Sequence, residues 1–166
     1  MQLEPEPRIL IESLRDIGYS FNSALADIVD NSITAKARNI SILAIPSDDF
    51  RIAIIDDGEG LGRDELMHAM RLGSTDPRCK RHLNDLGRFG LGLKTASFSQ
   101  CRRLTVVSKK NGEVNAFTWD LDLVSSENKW TVLEQKRTDA IPFIGEMCET
   151  GTLVLWEKLD RLTGVN

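Results

Sequence analysis

The sequence has no apolar run long enough to cross a bilayer. Its hydrophobic stretches, such as Ile52, Ile54 and Ile55 around Ala53, stop far short of the roughly 20 residues a membrane-spanning helix needs. Cysteine is scarce and odd in number: Cys79, Cys101 and Cys148 are widely spaced, which argues against a disulfide framework and suits a reducing compartment. They are expected to be buried or inert thiols. Histidine is limited to His68 and His82, and Cys79 with His82 supplies only half a zinc site. No nucleophile stands beside a paired base, and there is no internal repeat or low-complexity tract. The amino end, MQLEPEPRILIE, lacks the basic and apolar regions of a secretory signal, so a cytoplasmic protein without membrane contact is expected.

What is present is an ordinary globular composition. Hydrophobic residues make up 41% and charged residues 28% of 166, which suits a single domain over residues 1–166. The net charge of -4 conceals an imbalance. Nine basic residues lie between positions 78 and 110 against the single acid Asp85, so that window carries +8 and the remainder -12. Cations concentrated in a glycine-bearing segment of an acidic chain are what an anionic ligand calls for, although a solvated basic surface has the same composition.

Helical spacing predicts helices over residues 9–17, ended by Gly18, and over 21–37. Strands are expected at 39–45 and 51–55, and a helix over 63–72, opened by Asp64 and Glu65. Residues 73–92 are polar and basic, about the length at which an irregular connection acts as a lid. A helix at 93–99 follows, then strands at 103–108, 114–121, 129–135 and 152–156, with Lys110-Asn111-Gly112 as a hairpin turn. Trp119, Trp130 and Trp156 fall in these strands and are expected to pack in the core. The order implies an α+β fold, helices on one face of a mixed, largely antiparallel sheet.

Three clusters carry chemistry. In Ala26-Asp27-Ile28-Val29-Asp30-Asn31-Ser32, Asp27 and Asn31 are four apart and share a ridge, expected opposite an apolar stripe centred on Leu25 and Val29. Asp and Asn are poor helix formers, so this face is either plainly solvated or holds a water-activating carboxylate beside an amide oxygen for a hard cation. Asp56-Asp57-Gly58-Glu59-Gly60 follows a strand; its glycines permit close backbone approach by a planar ligand while a carboxylate accepts from an amino group, or it is a simple strand-to-helix turn. Gly87-Arg88-Phe89-Gly90-Leu91-Gly92-Leu93-Lys94-Thr95 leads glycines into a helix, as a phosphate cradle would. It is no P-loop, because Leu93 separates Gly92 from Lys94, and it lacks the order of the dinucleotide-binding fingerprint.

In this order the clusters resemble the GHKL ATPase superfamily of DNA gyrase B, Hsp90, histidine kinases and MutL, with MORC proteins close by. LADIVDNS resembles its N box, IIDDGEGL its adenine box, GRFGLGLKT its second glycine box and GTLVLWEKL its last motif. The resemblance implies a Bergerat-type two-layer α/β sandwich that binds and hydrolyses ATP with Mg2+. It makes Asn31 the Mg2+ ligand and Asp56 the acceptor for the adenine amino group. Gly58 and Gly60 shape the adenine pocket, and the Thr152 hydroxyl supports it. Gly87, Gly90, Leu91, Gly92, Leu93 and Lys94 surround the phosphates, with Lys94 a candidate for direct contact. Asp27 takes the general-base position where relatives carry Glu, so turnover is expected to be slow, and a nucleotide-sensing switch without turnover is the alternative. Thr34 replaces an Asp common in MutL and Hsp90, with local packing as the expected consequence. Lid closure, an ATP-dependent homodimer, an effector outside this chain and nucleic-acid contact through the basic window are the partner expectations.

Overall fold

The chain is described by a computed structural model over residues 5–46, 48–72 and 92–161. Gly87, Gly90, Leu91, Cys79, His82, the basic cluster at 78–82 and all of the expected lid except Gly92 lie outside the described residues. Pro7 sets the first turn of helix α1 (Pro7–Arg15), where its missing N–H is not needed. The Ser20 hydroxyl accepts from the Ser23 amide and starts α2 (Phe21–Thr34). The remaining elements are β1 (Ile40–Ile45), β2 (Arg51–Asp56), α3 (Arg63–Met70), α4 (Gly92–Gln100), β3 (Cys101–Lys110), β4 (Glu113–Asp120), α5 (Leu121–Glu127), β5 (Leu133–Glu134) and β6 (Gly151–Leu159).

The strands form one sheet in the order β1-β2-β6-β3-β4-β5. Every pair is antiparallel, so the α+β expectation holds and the sheet is not mixed. Among the described residues all five α-helices pack on one face. Ile11, Ile28, Leu66, Phe98 and Val124 from the helices bury with Ile54, Leu104, Val106 and Trp156 from the sheet. On the opposite face Ala53, Ile55, Val107 and Leu155 are covered by Ile141 and Met147, which flank short 3-10 turns. The alternation of β2 between the two clusters is the period-2 pattern of a strand buried on both sides.

Several expectations need correction. The buried line of α2 runs through Ala24, Ile28 and Ser32, and Ile33 is 55% exposed, so Asp27 and Asn31 flank the buried face instead of opposing it. Helix α5 was not expected; the Asp120 carboxylate accepts from the Asp122 amide and turns the chain out of β4. The strand expected at 129–135 narrows to two residues, and Trp130 lies outside it, 38% exposed. Trp119 and Trp156 are buried as expected, each with its indole N–H bonded. Cys101 is buried, which pushes its thiol pKa up, whereas Cys148 is exposed.

Candidate functional site

Register places three polar residues side by side at one end of the central strands. Thr152 of β6 is the direct partner of Asp56 on β2 and of Ser108 on β3. The Asp56 carboxylate is 7% exposed. Its Oδ1 accepts from the Gly58 amide at 2.9 Å and the Thr152 amide at 3.2 Å, and its Oδ2 accepts from the Ser32 hydroxyl at 2.8 Å. A carboxylate has about four acceptor positions, so three bonds from its own chain leave capacity at Oδ2. Thr152 reaches Asp56 through its main-chain amide.

The turn after Asp56 is fixed from both sides. Asp57 accepts from the amides of Asn39 and Arg38 and from the Asn39 side chain, and these bonds hold its carboxyl well down, at about 2. The Glu59 amide donates to the Ala35 carbonyl at 2.9 Å, docking the turn on the end of α2. A Cβ at Gly58 would stand 2.7 Å from that same carbonyl oxygen. Gly60 has φ +66°, and a Cβ there would stand 2.2 Å from the Lys109 carbonyl oxygen. The Ser108 hydroxyl then accepts from the Leu61 amide at 2.7 Å. Both glycines of the DxGxG pattern are thus required by close backbone approach.

Asp27 and Asn31 sit one helical turn apart, the first half-buried and the second exposed. A Cβ on Gly92, at the start of α4, would lie 3.9 Å from Asp27 Oδ2, so the carboxylate adjoins the glycine-box helix. The Tyr19 phenol meets Asp27 as well; burial first, then Asp27, push its pKa up, while a bond from Thr95 acts the other way. Thr34 bonds the Asp30 carbonyl of its own helix at 2.9 Å, a local packing role.

Lys94 has an unexpected environment. Its side chain is 1% exposed, and Nζ donates to the Ala69 carbonyl at 2.7 Å and the Arg71 carbonyl at 2.6 Å. Burial lowers its pKa to about 8.

A cavity of about 390 Å³ gathers Asn31, Ser32, Asp56, Gly60, Leu93, Lys94 and Thr152 along one wall. It brings residues of all four motifs together, whereas Asp27 is not among its lining residues. The volume is within the usual range for small-molecule sites, about 300–1,000 Å³. A larger cavity, about 680 Å³, lies among Leu10, Leu14, Met67, Met70, Trp119 and Trp130 and has no carboxylate among its described lining residues. Among the described residues no group of three His, Cys, Asp or Glu side chains is placed to hold a metal.

The sequence reading missed Ser32, Ser108 and Tyr19. Ser32 had a signal, a hydroxyl at the buried spacing of Ala24 and Ile28. The basic window also divides on folding. Arg102 pairs with Asp122 and Glu12, Arg103 with Glu157, and Lys110 with Glu65, so these cations are neutralised within the fold. No described helix is long and apolar enough to cross a membrane.

The family model described as histidine kinase-, DNA gyrase B-, and HSP90-like ATPase matches residues 19–147. The chain is 31% identical over 170 residues to ATPase morc-1 of Caenorhabditis elegans, an alignment covering 86% of this chain and 19% of that protein. It is 29% identical over 97 residues to the DNA mismatch repair protein MutL of Dictyoglomus turgidum, covering 57% of this chain and 17% of MutL. The chain spans less than a fifth of the length of either relative.

Proposed function

Because the chain belongs to the histidine kinase-, DNA gyrase B- and HSP90-like ATPase family, we propose that its 390 Å³ cavity binds ATP with Mg2+ and that the module hydrolyses it. The observation that carries the reading is Asp56. A buried carboxylate bonded by three groups of its own chain, with one acceptor position left and a place in the cavity wall, suits an exocyclic amino group such as that of adenine. Gly60 and Thr152 line the cavity beside Asp56, and Gly58 shapes that end by donating its amide to Asp56 Oδ1. Leu93 and Lys94, with Gly92 before them, form the first turn of α4, where amide groups and the helix dipole favour phosphate. Gly87, Gly90 and Leu91 complete this phosphate box by sequence.

Asn31 would contribute an amide oxygen to Mg2+, which supplies charge neutralisation at the phosphates when bound. Asp27 orients and deprotonates the attacking water from the next turn of α2. Its side chain is one methylene shorter than glutamate and is engaged by Tyr19, and both features favour slow turnover. They also support the second reading, a switch that binds ATP and changes partner without appreciable hydrolysis. In either case closure of a lid at about 73–92 is coupled to dimerisation or to an effector outside this chain.

Phosphate release separates the readings. Turnover abolished by Asp27→Ala, with ATP affinity kept within about threefold, is the expected result for the enzyme. Wild-type turnover indistinguishable from buffer at every protein concentration would leave the switch.

A further inference from the structure

Lysine is seldom buried without a carboxylate beside it, because an ammonium loses hydration that only an opposite charge restores in full. Lys94 departs from this rule. Among the described residues its Nζ has two neutral carbonyl partners and no ion pair, although the side chain is almost wholly enclosed. The carbonyls are informative. The last turn of a helix leaves its C=O groups without partners in the helix, and α3 ends at Met70. Here three consecutive carbonyls are taken by side chains from elsewhere: Ala69 and Arg71 by Lys94, and Met70 by the Trp119 indole N–H at 2.9 Å.

This end of α3 separates two cavities. Ala69 and Lys94 line the one that holds Asp56, while Met70, Arg71 and Trp119 line the apolar one. Trp119 is further packed edge-on against Phe98 of α4 and against Trp130, with ring centroids 5.9 and 6.4 Å apart. A change at the α3 carbonyls is therefore felt in the apolar cavity.

We propose that Lys94 is shared between two sets of acceptors: it fastens the end of α3 while the cavity holds no phosphate, and a nucleotide phosphate draws the ammonium off Ala69 and Arg71. An anionic oxygen is a stronger acceptor for N–H than a neutral carbonyl, and more so where water is excluded. The last turn of α3 then loosens, and the packing of Trp119 changes with it. The inference rests on the reading of this cavity as an ATP site. It makes Lys94 the residue that reports phosphate occupancy to the far side of α3.

Amide hydrogen exchange over residues 66–72 tests this on the wild-type chain alone, with saturating adenosine and with saturating Mg-ATP. Exchange at least tenfold faster with ATP than with adenosine is expected. In Lys94→Met the same amides are expected to exchange fast without any nucleotide and to change less than twofold on adding ATP. That variant should bind adenosine within threefold of wild type and ATP at least tenfold more weakly. If Lys94→Met does not fold, the wild-type comparison decides alone. Exchange over 66–72 that is unchanged or slowed by ATP overturns the inference while leaving the ATP site standing, as does wild-type ATP affinity in Lys94→Met. Failure of the wild-type chain to bind either ligand overturns the ATP site and this inference together.

Discussion

Replacing Asp56 by asparagine keeps the side chain's shape and reverses its hydrogen bonding at one atom. The Gly58 and Thr152 amides both donate to Oδ1, so the asparagine carbonyl must occupy that position and the NH2 group must take the place of Oδ2. The Ser32 hydroxyl can rotate from donor to acceptor, which retains the contact within the protein. Stability should fall by only ~1 kcal/mol, the difference between charge-assisted and neutral hydrogen bonds. Binding fares worse, because an adenine amino group now meets a donor. Loss of a hydrogen bond to a charged acceptor, about 1.5–3 kcal/mol, adds to the burial of an unpaired donor, about 1–3 kcal/mol. The total, roughly 2.5–6 kcal/mol, corresponds to affinity weaker by somewhere between about 60-fold and about 20,000-fold. GTP, with a carbonyl at the corresponding ring position, should lose less, so the ratio of ATP to GTP affinity falls. Calorimetric titration of both nucleotides, with a thermal melt as the folding control, measures this. A folded Asp56→Asn protein that binds ATP within threefold of wild type would refute the role given to Asp56.

Other consequences concern the frame of the site. Gly151 has φ +130°, and a Cβ there would stand 1.9 Å from the Asp56 carbonyl oxygen, so Gly151→Ala should destabilise by several kcal/mol, ~3 or more, in urea unfolding. Nearly unchanged stability would show that β6 can shift away from Asp56. The Asp57 carboxyl is held at about 2 by its amide donors, so its contribution is fully present above pH about 4 and lost as pH falls towards 2. Asp57→Asn should flatten that part of the stability profile, and an unaltered profile between pH 4 and 2 would contradict the assignment.

Much of this architecture was legible because strong patterns act locally. Isoleucines at 52, 54 and 55 ending in Asp56 marked a buried strand with a polar end, and the strand forms there. The spacing of Asp27 and Asn31 placed both on one ridge of α2. The stripe beside them was misread because Ala24 and Ser32, small or polar, give no hydrophobic signal, whereas the exposed Ile33 gives a strong one. Helix α5 was missed because its seven residues, LDLVSSE, carry too little periodicity; it depends on the Asp120 cap and on burial of Leu121 and Val124. The environment of Lys94 was not legible at all. Its partners are main-chain carbonyls more than twenty positions away, and no side-chain pattern records where a carbonyl will point.

The central claim is that ATP lies with its base on Asp56 and its phosphates at the start of α4. A crystal structure of the chain with Mg2+ and a non-hydrolysable ATP analogue tests this most directly. The adenine amino group is expected within hydrogen-bond distance of Asp56 Oδ2, and phosphate oxygens at the amides of Gly92 and Leu93. A nucleotide seated instead in the apolar cavity between Leu14 and Trp119, or no nucleotide at saturating concentration, would contradict it.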